Sequence, residues 1–207
     1  NPINDVNLLS KTLEKKGFKV MIKKNLNYKK FINSLNEFRN LISAEKKDTT
    51  VLFYYAGHGL QYDGKNYLIP INSNINNHLD FEIEAIDLQR VFSTLYATGG
   101  VKIVLLDACR NNPYKSFIRS SNRGLAQVST PTGTIIGFST APGKIAEDGF
   151  GENSPYAIAL NKAVQIPNLK IEEVLKQTRI SVMRQTTNNQ IPWDSSSLTK
   201  EFYFSNN

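Results

Sequence analysis

Three short apolar runs punctuate an otherwise polar chain: Val51 to Tyr55, Val101 to Leu106 and Thr134 to Phe138. Each has strand length, is nearly continuous in β-branched, aliphatic or aromatic residues, and is bounded by polar residues or glycine. That pattern predicts strands buried on both faces. Two weaker runs, Phe18 to Ile22 and Phe202 to Phe204, predict further strands. Between them the apolar positions recur at helical spacing. Val6, Leu9 and Leu13 share a face that stops at Gly17, Phe31, Leu35, Phe38 and Ile42 form a second, and Leu88, Val91, Phe92 and Leu95 a third that ends at Gly99 and Gly100. Ala157 to Val164 and Ile171 to Met183 predict two more helices, the first opened by Ser154 as N-cap and Pro155 at the first helical position. Strands alternating with helices predict a layered α/β fold around a mostly parallel sheet.

Two stretches lack periodicity. Gln61 to Asn77 is polar and rich in Asn, and Asn111 to Pro131 carries Ser, Thr, Asn, Gly and Pro, so both are expected to be surface loops. They follow strands directly. In a sheet of this kind ligands bind beyond the carboxyl ends of the strands, which directs the search for chemistry to these points.

The chain has 207 residues, 40% of them hydrophobic, which suits one domain with a full core. No apolar run approaches the length of a membrane span. The opening NPINDVNLLS is neither a signal sequence nor a Met start, so the natural N-terminus is expected to lie upstream. A net charge of +7 raises nucleic acid as a partner, with Lys11, Lys15, Lys16, Lys19, Lys23, Lys24, Lys29 and Lys30 as its source. These lysines are spread along a helix, a strand and a second helix with no aromatic platform, which favours a solvated basic face.

The one cysteine excludes an internal disulfide and invites a reading as nucleophile. The first strong strand runs into Ala56-Gly57-His58-Gly59 and the second into Asp107-Ala108-Cys109-Arg110-Asn111, so His58 and Cys109 leave two parallel strands at the same edge. A thiol needs a base or cation beside it to be a thiolate at neutral pH, and imidazole is the usual partner. The glycines flanking His58 are expected to let the backbone turn tightly, and the amides of Gly59 and Cys109 are the candidate donors to an oxyanion. Taken singly, a Cys after a strand is more often a small apolar filler and a His beside Gly a loop residue. His78, in a polar loop, carries no such setting.

Together the two motifs resemble those of the caspase-like cysteine peptidases, the superfamily of caspases, metacaspases, paracaspases and bacterial caspase-domain proteins. YYAGHG stands about fifty residues before LLDACRNN, and the signature Gln-Ala-Cys-Arg-Gly reads here as Asp107 to Asn111. GTIIGFSTAPG, Gly133 to Gly143, is similar to the strand and loop lining the family's substrate cleft, and NSPYAIAL and QIPWDSSSLTKEFYF resemble its last helices and closing strand. The resemblance implies a caspase-haemoglobinase fold, a mostly parallel sheet with helices on both faces, over residues 1–207 as a single domain. The family's first, central strand is expected before Asn1, with either an upstream segment or another one filling its slot.

The same resemblance implies a cysteine endopeptidase with a Cys-His dyad and no cofactor. Where caspases hold aspartate with basic residues, this chain has acids: Asp107 two residues before the Cys, and Glu147 and Asp148 after the STAPG stretch. Metacaspases that cut after Arg or Lys place acids at the positions matched by Asp107 and Asp5, with a small wall residue at that of Ala56. The implied substrate is a protein or peptide with a basic residue before the scissile bond. The alternative is that Asp5 caps the first helix, Asp107 holds the loop after its strand, and Glu147 and Asp148 are exposed. Segment 111–131, carrying Lys115, Arg119 and Arg123, is a candidate for self-processing. Calcium activation has weak support, since Asp63, Asp80 and Asp87 are scattered. A monomer is implied, with a fused or associated sensor or effector domain as a further partner. A catalytically silent adaptor is the competing reading.

Overall fold

The helical periodicities fold into the helices they predict. In the computed structural model, which describes residues 2–108, 125, 126, 128–142, 144 and 151–205, α1 (Pro2–Lys15) buries Leu9 and Leu13. It ends where Gly17, at φ +85°, turns the chain and lets Phe18 N–H donate back to Leu13 O at 3.0 Å. Asn27 opens α2 (Tyr28–Ser43) by accepting from Lys30 N, and Phe31, Leu35 and Ile42 form its buried stripe. Further along, α3 (Phe81–Glu84) and α4 (Leu88–Leu95) follow a 3₁₀ turn at His78–Asp80. Ser154 is the N-cap of α5 (Pro155–Val164), with Pro155 in its first turn, and α6 (Ile171–Gln185) lies after it. No helix among the described residues is long and apolar enough to cross a membrane.

The six strands are β1 (Val51–Tyr62), β2 (Lys65–Ile69), β3 (Ile86–Asp87), β4 (Lys102–Ala108), β5 (Thr134–Phe138) and β6 (Trp193–Ser196), in the order β3-β2-β1-β4-β5-β6. β1, β4 and β5 are mutually parallel, and the outer pairings are antiparallel. All seven residues of β4 are buried. Its side chains alternate between two cores, as a strand covered on both faces requires. Val104, Leu106 and Ala108 join the α2/α4 core with Phe31, Leu35, Val91 and Phe92, whereas Ile103 and Leu105 join the α1/α5/α6 core with Leu9, Tyr156, Leu160 and Val182. Asp107 shares the parity of Ile103 and Leu105, which turns it toward α1 and α5.

Four expectations are corrected. Gln61 to Asn77 is not a loop throughout: β1 runs on to Tyr62 and returns as β2 through a two-residue turn, with Tyr62 opposite Lys65. Asp63 (φ +47°) and Gly64 (φ +72°) supply the paired positive φ angles that a tight hairpin needs, and Asp-Gly is its local signature. Phe202 to Phe204 makes only an isolated bridge, Lys170 to Tyr203, and the strand beside β5 is β6. Phe202 and Phe204 pack instead against Phe18, with ring centroids 6.3 and 6.0 Å away. The segment Asn111 to Pro131 lies largely outside the described residues, but its end is not a free surface loop. Leu125 is buried in the α2/α4 core, and Ala126 exchanges two hydrogen bonds with the Asn66 side chain.

Phe18 to Ile22 is the fourth. It forms no ladder, because no strand lies beside it among the described residues. Facing it, residues 51–57 of β1 pair with β4 along one edge, and between the two runs a groove of about 820 Å³. Val20, Ile22, Leu26, Phe31, Phe53 and Tyr55 line it. Among the described residues no strand pairs with this edge of β1.

Candidate active site

The register of the two central strands sets the site. Ala56 lies opposite Asp107, and Gly57 opposite Ala108. At the next residue, His58, β1 changes partner and pairs with Ile69 of β2. His58 is exposed there, at the carboxyl end of the parallel sheet. Cys109 follows Ala108 in sequence. It lies outside the described residues, as do Glu147, Asp148, Lys115, Arg119 and Arg123.

Gly57 and Gly59 belong to a strand and neither has a positive φ, so the tight turn expected around His58 is not their reason. Close approach is. A Cβ on Gly57 would lie 2.7 Å from Tyr55 Oη, and one on Gly59 would lie 3.0 Å from the Ala108 Cβ. Tyr55 Oη sits 3.0 Å from His58 O and 3.1 Å from Ile69 O, so its hydroxyl braces the backbone where β1 changes partner. Its part in the site has no signal in the sequence beyond an aromatic residue in an apolar strand. Gly59 is buried opposite Leu68.

On the α1/α5 side the structure gathers a polar cluster. Asp5 is fully buried and Asp107 only 7% exposed. Asp5 Oδ1 accepts from Asn153 Nδ2 and from Ser154 N, each at 2.9 Å. Asp107 Oδ2 accepts from Ser154 Oγ at 2.5 Å and from Tyr54 Oη at 3.4 Å. Asp5 Oδ2 and Tyr156 Oη are buried with no hydrogen-bond partner among the described residues. Burial, then the charges of Asp107 and Asp5, push the Tyr54 hydroxyl well above its ordinary pKa, and burial followed by Asp107 does the same to Tyr156. Both phenols therefore remain protonated beside the carboxylates. Asp5, Asp107 and Ala56 are thus brought to one place. Ser154, expected only as a helix cap, joins the acids, and Asn153, Tyr54 and Tyr156 were not anticipated. Their link to Asp5 spans 149 positions in Ser154's case, beyond any local pattern.

The stretch after β5 closes another side. Ser139 N donates to Leu106 O and Gln190 Nε2 donates to Ser139 O, while the Ser139 and Thr140 hydroxyls are buried without partners among the described residues. The scattered acids have local tasks. Asp80 accepts from the backbone of Asn76 and Asn77, Asp87 caps α4 through Gln89 N, and Asp63 sits in the hairpin turn. Along the lysine-rich stretch, Lys19 pairs with Glu45 and Lys23 with Glu37.

A family model described as the caspase domain, of peptidase family C14, matches residues 1–203. No curated protein matches the chain.

Proposed function

The chain belongs to the caspase-domain family of cysteine peptidases, and from that premise we propose that it is an endopeptidase that cuts proteins after Arg or Lys using a Cys109–His58 dyad. The observation that supports the pair is the register: Gly57 stands opposite Ala108, and His58 and Cys109 follow these two residues in the sequence. The observation that supports a basic residue before the scissile bond is the pair of acids on the α1/α5 side, one of them with an unpartnered oxygen among the described residues. A guanidinium or ammonium satisfies such oxygens, and an aspartate side chain is repelled by them.

In this reading the His58 imidazole takes the Cys109 thiol proton, and the thiolate attacks the carbonyl carbon. The carbonyl π pair moves to oxygen, where the amides of Gly59 and Cys109 receive the negative charge. Collapse restores the carbonyl and breaks the C–N bond, the leaving amine taking the proton from the imidazolium. Water, deprotonated by His58, then attacks the thioester, releasing the carboxylate product and returning the thiol. Glu147 and Asp148 are further candidates for the acidic pocket, and Lys115, Arg119 and Arg123 for self-cleavage sites. Calcium activation is a lesser proposal, as is a monomer carrying a further sensor or effector domain. The open groove beside β1 favours, as the second reading, a silent adaptor.

The deciding measurement is hydrolysis of matched fluorogenic peptides ending in Arg, Lys, Asp or Asn by the wild type and by Cys109→Ala. Cleavage after Arg or Lys, lost in the variant by about three orders of magnitude or more, is expected. Cleavage after Asp would overturn the acidic pocket, and no cleavage of any peptide would favour the adaptor.

A further inference from the structure

A carboxylate removed from water needs its lone pairs satisfied, and to read a planar guanidinium it must also be held in one orientation. Asp5 arrives on α1 and Asp107 on β4, two elements separated by most of the domain's first half. Both are tied to one residue. Ser154 donates from Oγ to Asp107 Oδ2 and from its backbone N to Asp5 Oδ1. The same Oγ accepts from Ala157 N at 2.9 Å, in the first turn of α5. Donors therefore run in sequence from the helix backbone through the hydroxyl to Asp107, each bond polarising the next, and the partial positive charge of a helix N-terminus lies behind them.

The arrangement exceeds what capping needs. A cap uses the hydroxyl oxygen as an acceptor, and its proton has no required destination. Here the proton is committed to Asp107. Asn153 and Asn4 fasten the same segment to α1, Asn153 through Asp5 Oδ1 and Asn4 Nδ2 through Glu152 O at 3.0 Å. With Oδ1 of Asp5 thus engaged, its Oδ2 is left buried without a partner among the described residues. That oxygen is an acceptor awaiting a donor.

We propose that Ser154 is the positioning residue of the basic-residue pocket, aligning the carboxylates of Asp5 and Asp107 so that together they receive the substrate's cation. The inference rests on the Arg/Lys reading above and deepens it. Ser154 takes no part in bond making, and it acts through the two acids. Removing its hydroxyl weakens recognition of the cation and leaves the reactivity of the thiol intact.

The test compares wild type, Ser154→Ala and Ser154→Thr, with arginyl and lysyl reporters for turnover and with iodoacetamide alkylation of the single cysteine as a measure of the nucleophile. In Ser154→Ala the arginyl KM is expected to rise about 10- to 100-fold, as for loss of a hydrogen bond to a charged group, while kcat and the alkylation rate stay within about threefold. Ser154→Thr, which keeps a hydroxyl able to cap and to donate, restores KM. An unchanged KM in Ser154→Ala overturns the proposal, as does a loss shared equally by kcat and alkylation, which marks a cap and nothing more. A wild type that cleaves neither reporter fails the specificity reading itself, and this is seen before any variant is compared.

Discussion

β4 and the first half of β1 are neighbours in one sheet, paired residue for residue from Val51–Lys102 to Gly57–Ala108, yet they live in different surroundings. β4 is hydrogen-bonded along both edges and every residue in it is buried. β1 is buried at Val51 and only half-buried from Leu52 to Gly57, because its second edge looks into the groove. The motif within β1 presents an exposed His58, and the motif at the end of β4 an all but buried Asp107. The contrast shows how one sheet serves two needs. Its buried half holds a register that does not drift, and the half that faces the groove leads to an exposed His58 side chain.

The largest expected effect that sharpens this contrast is in stability. Leu105→Ala in β4 empties a fully enclosed site and should cost about 2–5 kcal/mol, whereas Leu52→Ala, the same change in half-buried β1, should cost about 1 kcal/mol. Urea unfolding of both variants checks it. Equal losses would mean that the groove is filled or closed in solution, and the comparison would break.

Next in size is Gly57→Ala. The added Cβ would meet the Tyr55 hydroxyl at 2.7 Å, and Tyr55 braces the backbone of His58 and Ile69. Overpacking of this kind costs about 1–3 kcal/mol, and because the displaced hydroxyl donates to the His58 carbonyl, peptide hydrolysis should fall alongside the melting temperature. A variant with full activity and stability would show that the strand has room to give.

The smallest effect is a slope. The Tyr54 hydroxyl is held above its ordinary pKa chiefly by burial, then by Asp107. Folding therefore favours the neutral phenol: its contribution is complete below the unfolded value near 10 and is lost as pH rises above it. Stability should fall above about pH 10 by up to about 1.4 kcal/mol per pH unit from this group, and Tyr54→Phe should remove that share of the slope. Chemical denaturation between pH 9 and about 11 reads it, since the range brackets the ordinary phenol value. An identical slope in the variant would mean that Tyr54 ionises freely, as a tyrosine open to the groove would.

Much of the fold was legible along the chain, and the reasons differ by element. The three strong strands declared themselves by apolar runs too short for helices, and Ser154-Pro155 announced the start of α5 from local chemistry. The hairpin of β1 and β2 was legible in principle, since Asp63-Gly64 is a turn signature, but the polar composition around it masked the alternation. β6 was not legible. Trp193-Asp-Ser-Ser carries no apolar pattern, and what holds it beside β5 includes the pairing of Asp194 with Arg179 on α6. Phe18 to Ile22 has the composition of a strand but, among the described residues, no neighbour to pair with.

The amino-acid sequence by itself determined the central strands, the helices that cover them, the family, and the two motifs that carry His58 and Cys109. These rest on periodicity, punctuation and motif, all carried by residues close together in the chain. Only the tertiary structure decided that the first half of β1 has one edge unpaired among the described residues and that Asp5, Asp107 and Ser154 meet. Ser154 lies 149 positions from Asp5 and 47 from Asp107, so their meeting depends on how α1 and α5 pack on the same face of the sheet. Side chains satisfy buried charge with whatever donor the packing brings near, and no local propensity encodes which donor that will be.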